Sequence, residues 1–378
     1  MQEFKKTLLL VPSAYNSKVM GDVSNFIKYY KYIFDVYVLY DKENKVEDGV
    51  TYLNKKDKKA TYLKYTADYI IDAGSVNGNT RVSTSQKRVS VWHGIPYKKM
   101  FTDLDIEYFE EALEYNYGCD LMVSPSKFYT EEFLRKSMLY NGEILETAVS
   151  RTDHLYKTQT EKNNLKSTLN IPVDKKVLLY APTYRQKGKF ELPFDAKRLL
   201  EILNDGKEEW VIVTKLHYLN ELAGCEGVID CTYYSDVNDI LTITDLLITD
   251  YSSLMFDYSI LKKPCVFYQY DKESYESGRG FMFDLEDYVD KKYIVTKEDE
   301  LLKIVHKIKD VDNMNKIRKT FYPYQKKDST KELVEKLNFD ASVRNTKDII
   351  FLINYLNQIG GVHSFIYNLA REFNKKFN

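Results

Sequence analysis

Short aliphatic and β-branched runs alternate with helix-patterned stretches along most of this chain, and that alternation admits few folds. TLLLVP (7–12), FDVYVLY (34–40), YIIDA (69–73) and RVSVW (88–92) read as strands, and residues 22–33 read as a helix between the first two. Apolar runs of this kind suit strands covered on both faces. IEYFEEALEYNY (106–117) has the pattern of an amphipathic helix, and LMVSPS (121–126) is a further strand end. SKFYTEEFLRKS (126–137) predicts a helix with Ser126 as its N-cap. Strand–helix alternation builds a parallel sheet with helices packed on it.

The alternation then starts again. KKVLLYAPT (175–183), EWVIVTKLH (209–217), GVIDCT (227–232), LLITDYSS (246–253) and PCVFYQYD (264–271) read as strands. DAKRLLEIL (195–203), DVNDILTIT (236–244) and SSLMFDYSILKK read as the helices between them. The polar segment 158–172, which ends at Pro172, separates the two series. A length of 378 residues accommodates two domains with some chain to spare. The expected boundaries are 1–165 and 172–335, two Rossmann-like α/β domains of similar size facing a cleft. Beyond about residue 340, a strand, a Gly-Gly turn and a helix read as the opening of another α/β domain. The alternative for 340–378 is a terminal helix packed back on the first domain.

Composition narrows the function. Lys and Arg total 55 against 56 Asp and Glu, so there is no global basic field for nucleic acid. Cys119, Cys225, Cys231 and Cys265 include no CxxC spacing and read as reduced thiols. No run of 18 apolar residues occurs, so work on membranes would be done from the surface. No P-loop, GxGxxG, HExxH or GxSxG is present, and no clustered carboxylates sit at a strand end. No obligatory metal or cofactor is expected. DLDIE (103–107) reads as a helix start, and His154, His306 and His363 read as structural.

Ligands of open α/β sheets bind outside the carboxyl ends of the strands, and four polar motifs fall there. In VSVWHGIPYKKM, His93 follows a strand directly, Gly94 permits a tight turn, and Lys98 and Lys99 follow. His93 could serve as a general base near neutral pH, or simply bond its own loop. In YAPTYR, Arg185 could clamp a phosphate, or form a surface ion pair. VTKLH places Lys215 and His217 at another strand end; a solvated Lys215 is the plainer alternative. In ITDYSSLMFDY, Asp250 ends a strand, and Ser252 and Ser253 open a helix whose N–H groups could seat a phosphate. An ordinary N-cap would account for one of those serines. In SGRGF, Arg279 lies between glycines, at a place suited to an anion or to a plain turn. Together these groups suit a pyrophosphate.

WHGIPYKKM, SPSKFYTEEF, RTDHLY, YAPTYR, TDYSSLMFDYSILKKPCVFYQYD and SGRGFMFDLEDY occur in that order, between about 85 and 290. This series resembles the CDP-glycerol glycerophosphotransferase family, the teichoic acid primases and polymerases. The first 80 residues resemble it only in strand pattern. The resemblance implies a GT-B fold and transfer of glycerol phosphate from CDP-glycerol to a hydroxyl of a membrane-linked acceptor, releasing CMP. His93 then matches the catalytic base of the HG-x-P motif. Arg185, Lys215, His217, Ser252, Ser253 and Arg279 match positions assigned to the donor's phosphates. Asp250 matches the Asp of the same TDYSS turn, without an assigned role. Gly94, Lys98 and Lys99 fall on the acceptor side, where the lysines would meet a polyanionic lipid-linked acceptor or anionic headgroups.

Two positions depart from the family pattern. Tyr218 follows His217 where the family has Pro, and Ser150 precedes Arg151 where it often has Pro. The second departure touches either the acceptor side or a domain hinge. NQIGGVHSFIYNLAREF resembles the start of a retaining GT-B glycosyltransferase, which implies a bifunctional capsule or teichoic-acid polymerase. The membrane-linked acceptor implies a peripheral place at the cytoplasmic membrane face. The alternatives to a CDP-glycerol transferase are a CDP-ribitol enzyme, a nucleotide-sugar glycosyltransferase of the same fold, and a silent CDP-binding scaffold.

Overall fold

The computed structural model describes residues 5–13, 21–39, 47–74, 86–185, 187–276, 280–308 and 311–342. The expected α/β domain opening at 340–378 falls almost wholly outside them. Strands β1 (Thr7–Val11), β2 (Asp35–Leu39), β3 (Val50–Leu53), β4 (Tyr69–Asp72), β5 (Lys87–Ser90), β6 (Leu121–Ser124) and β7 (Glu143–Glu146) form one sheet in the order β3-β2-β1-β4-β5-β6-β7. Every pairing in it is parallel. Leu8 and Leu10 of β1 face one side and Leu9 and Val11 the other, and all four are buried. Burial of alternate residues on both faces explains why the run is continuously apolar.

The second sheet repeats the plan. It contains β8 (Lys176–Tyr180), β10 (Trp210–Thr214), β12 (Val228–Asp230), β13 (Leu246–Thr249), β14 (Cys265–Tyr268) and β15 (Ile294–Val295), in the order β12-β10-β8-β13-β14-β15. These pairings are parallel too. β9 (Gly188–Phe190) and β11 (Asn220–Leu222) form a separate ribbon. Counted within each sheet, the second has the doubly wound order 3-2-1-4-5-6 and the first the same order with a seventh strand added at the end, the direction of winding reversing between the first and fourth strands. That reversal lies between β1 and β4 in one sheet and between β8 and β13 in the other.

Helices differ from expectation more than strands do. The helix expected over 22–33 is two single turns, Gly21–Ser24 and Ile27–Tyr30. Asn25, between them, turns its amide to donate to the Ser150 carbonyl at 2.8 Å. The polar segment 158–172 contains a helix, Gln159–Thr168, opened by a reciprocal Thr158–Glu161 capping box. Residues 129–137 wind as a π-helix, with Met138 N donating to Phe133 O at 2.8 Å. The wide turn brings Phe133 to 5.5 Å from the Trp92 ring centre. The helix of the TDYSS motif is only Leu254–Ser259.

After the second sheet the chain crosses back. Asp153, beyond β7, accepts from Ser329 N and Thr330 N, each at 2.8 Å, and so caps the helix Ser329–Leu337. Phe339 then stacks on Tyr69 of β4 with ring centres 4.2 Å apart, and Lys6 pairs with Asp340.

Candidate active site

His93 sits just past β5, in a loop built to hold its ring. Trp92 has a left-handed φ of 51°, which costs a non-glycine residue about 1–2 kcal/mol. Its indole is buried, and the His93 imidazole stacks on it at 4.4 Å. His93 Nδ1 lies 3.1 Å from the Ala73 carbonyl oxygen at the end of β4. A carbonyl can only accept, so Nδ1 carries the hydrogen and Nε2 the lone pair. Burial and the nearby Arg151 charge push the imidazole down to about 4, while the Ala73 hydrogen bond works in the other direction. The ring is therefore neutral at pH 7.

The Ala73 carbonyl is itself held. Asp72 Oδ1 accepts from Gly74 N at 2.6 Å and lies 3.4 Å from Ser90 Oγ. Gly74 has a φ of 85°, and a β-carbon there would stand 2.6 Å from the Trp92 ring. The turn therefore needs glycine for both its conformation and its space.

Arg151 was legible only beside a departure from a motif, and its side chain bridges the His93 loop and the helix that follows the TDYSS turn. Its side chain is only 12% exposed. Nη1 donates to the His93 carbonyl and lies 3.3 Å from Asp22 Oδ1. Nη2 donates to Asp257 Oδ2 at 2.6 Å, on the helix that follows the TDYSS turn. Tyr322 donates to the other Asp257 oxygen at 2.7 Å. Burial opposes the guanidinium charge, and Asp257 and Asp22 more than offset it. Burial raises Asp22 to about 6, with Arg151 opposing. Gly94 serves this contact: a β-carbon there would stand 2.8 Å from Arg151 Nη1. The sequence signal for the cluster was faint: a lone Asp257 inside SLMFDYSIL, and two charges in the mixed segment AVSRTDHL.

In the second sheet Arg185 and Asp250 meet at the reversal point between β8 and β13. Asp250 is fully buried. Its Oδ1 accepts from Thr183 N at 2.8 Å and Thr183 Oγ1 at 2.6 Å, and Oδ2 from Arg185 Nη2 at 2.8 Å. Arg185 also bonds Asp271 through Nε at 2.5 Å and the Thr183 carbonyl through Nη1 at 2.8 Å. Its guanidinium lies 4.4 Å from the centre of the Tyr275 ring. The expectation of Arg185 as a phosphate clamp meets a different arrangement. Two carboxylates already occupy the fork, so a bidentate phosphate contact would have to displace one.

Lys215 reaches the Thr232 carbonyl at 2.6 Å. His217 packs 4.5 Å from Tyr184 and 4.4 Å from Tyr218, and burial together with Lys215 lowers its pKa. Ser252 Oγ accepts from Leu254 N at 3.3 Å. Ser253 is the N-cap residue and exposed, with no side-chain capping bond. Arg279 lies outside the described residues.

Lys98 and Lys99 join the two halves through their backbone. Lys98 pairs antiparallel with Phe281, and Lys99 N donates to Gly280 O at 3.3 Å. Tyr97 stacks on Phe281 at 4.5 Å, and Lys98 Nζ lies 5.1 Å from the centre of the Tyr275 ring. A cavity of 310 Å³ opens beside this junction, lined by Tyr97, Gln269, Lys272, Phe281, Asp284 and Glu286 among others. Among the described residues, no group of three or more His, Cys, Asp or Glu side chains could hold a metal ion. No described helix is long and apolar enough to cross a membrane. All four cysteines are free thiols.

Known proteins share this architecture. The sequence model of the CDP-glycerol:poly(glycerophosphate) glycerophosphotransferase family matches residues 4–338. A teichoic acid poly(glycerol phosphate) polymerase of Staphylococcus epidermidis is 31% identical over 307 residues, 73% of this chain and 42% of the relative. The teichoic acid ribitol-phosphate polymerase TarK of Staphylococcus aureus is 30% identical over 340 residues, 82% of this chain and 65% of the relative. The chain thus spans less than two thirds of the length of either polymerase. A solved structure of the wall teichoic acid polymerase TagF, a histidine-to-asparagine variant soaked with CDPG, superposes with a TM-score of 0.76. It is 25% identical, and the match covers 88% of each chain. Two doubly wound sheets in this relation constitute the GT-B architecture.

Proposed function

The chain belongs to the CDP-glycerol:poly(glycerophosphate) glycerophosphotransferase family, and we propose that it transfers glycerol phosphate from CDP-glycerol to a hydroxyl of a membrane-linked, teichoic-acid-like acceptor, releasing CMP. The observation that carries the reading is the Nδ1 contact of His93 with the Ala73 carbonyl, which leaves Nε2 as the basic nitrogen. In the reaction, Nε2 takes the acceptor hydroxyl proton as that oxygen attacks the β-phosphorus. The new P–O bond forms as the bond to CMP breaks, and CMP departs with the electron pair. A neutral imidazole can accept this proton without first losing one.

The half spanning 172–335 is the donor side of this reading. Lys215, His217, Ser252, Ser253 and Arg279 are its donor-phosphate groups. Arg185 and Asp250 shape that surface through each other, and Lys98 and Lys99 lie toward the acceptor. CDP-ribitol is the second donor to test, because identity to the ribitol-phosphate polymerase, 30%, is nearly that to the glycerol one, 31%.

The test is CMP release from CDP-glycerol with a glycerol-phosphate-primed lipid analogue. His93→Ala should lower the rate by ~10²–10⁴-fold and leave donor affinity nearly unchanged. A fully active His93→Ala enzyme would reject His93 as base. Release from CDP-ribitol alone would move the assignment to that donor.

A further inference from the structure

We propose that Arg151 is a positioning residue for the transfer, fixing the His93 loop of the first half against the helix that follows the TDYSS turn of the second. The proposal rests on His93 being the base. Arg151 binds the carbonyl of His93 itself, while its other arm holds Asp257 at 2.6 Å. Asp257 lies one helical turn beyond Ser253. One rigid fork thus spans the proposed proton acceptor and the proposed donor-phosphate turn.

Stability alone is a poor reason for this construction. A guanidinium and two carboxylates have been taken out of water, and buried ionic clusters of this kind are often no more stabilising than packed apolar side chains. What the cluster supplies is geometry. Guanidinium forks are planar and directional, and Lys at the same place would be a single mobile point charge. Gly94 lets the fork sit close against the His93 loop, since a β-carbon there would stand 2.8 Å from Arg151 Nη1. Tyr322 pins the far side by bonding Asp257. The arrangement therefore has little slack in the direction that separates His93 from the 252–257 segment. A misplacement of about 1 Å in a reacting geometry costs about 10²-fold in rate.

The experiment is a double-mutant cycle on the full chain, combining His93→Ala with Arg151→Lys. Acceptor-dependent CMP release, CDP-glycerol affinity by calorimetry and Tm are followed for every variant. Arg151→Lys retains the charge beside Asp22 and Asp257 and loses the fork. The expected result is a fall in kcat of about 10²-fold, with donor affinity held within about threefold. In the His93→Ala background the same substitution should cost less than about twofold, because the group it positions is gone. Asp257→Asn, which keeps the shape and weakens the anchor, should show the same pattern more mildly and guards against a misfolded lysine variant.

Losses that add independently in the double variant would overturn the proposal. So would a loss confined to donor affinity, or one that follows Tm alone. If His93→Ala is fully active, the base reading itself fails. If His93→Ala is inactive and Arg151→Lys is as fast as wild type, only the positioning role fails.

Discussion

The two sheets share the order of their first six strands, and each has a buried aspartate at the carboxyl end of its fourth strand, yet the two aspartates do different work. Asp72, closing β4, holds a tight turn through Gly74 N, and that turn presents the Ala73 carbonyl to His93. Asp250, just past β13, holds Thr183 and Arg185 from the loop after β8. One reversal point has become an aromatic and backbone cradle for a neutral imidazole. Its counterpart has become a saturated network of opposite charges. Topology chooses where a site can lie, and the loop residues at that place choose its chemistry.

Substitutions should separate the two aspartates. Asp250→Ala leaves Arg185 half-compensated and the Thr183 amide without its acceptor, and is expected to cost about 3–5 kcal/mol, read as a lowered denaturant midpoint. A loss below about 1 kcal/mol would mean that Asp271 alone suffices for Arg185. Asp72→Ala removes fewer bonds and is expected to cost about 1–3 kcal/mol. It should nevertheless lower kcat while CDP-glycerol affinity holds, because the turn that orients His93 is loosened. If instead donor affinity falls and kcat holds, the division between the halves is wrong.

The smallest effect is in pH dependence. As the proposed base, the imidazole would act when neutral, so a pKa lowered to about 4 keeps it in that form well below the ordinary range. At pH 5.5 an ordinary histidine near 6.5 would be only about one tenth neutral, whereas His93 remains almost wholly so. CMP release at pH 5.5 should stay close to its pH 7.5 rate. Asp22, raised to about 6, is the other group near Arg151 that titrates in this window. Any residual acid limb near 6 should therefore vanish in Asp22→Asn. A limb near 6.5 that survives this substitution would show His93 to be unperturbed when substrate is bound.

Much of the fold was legible because both faces of each sheet are covered. Runs such as TLLLV and LLIT carry no polar alternation and resist other readings. Helices Glu298–Ile308 and Ser329–Leu337 escaped notice among their charges, since their apolar stripes are defined only by what they pack against. His93, Asp250 and the two serines were visible from their places at strand ends. What those groups touch was not. Arg185 looked like an available cation because its partners lie 65 and 86 residues away along the chain. Arg151 looked like a motif irregularity for the same reason: its partners are brought together only by the docking of two sheets.

The cap that Asp153 places on the helix Ser329–Leu337 also imposes an order of assembly. Donor and acceptor are 176 residues apart, so during synthesis the first half must wait for nearly all of the second before this bond can close. The same holds for Arg151, whose Asp257 anchor emerges 106 residues later. Until then its charge has no reason to leave water. Domains emerging from the ribosome tend to fold in turn, N-terminal first, and contacts of such long sequence separation form slowly. The His93 loop therefore acquires its fixed position last, after both sheets exist, and a chain interrupted before the crossing segment is made would carry a correctly wound first sheet with the His93 ring unset.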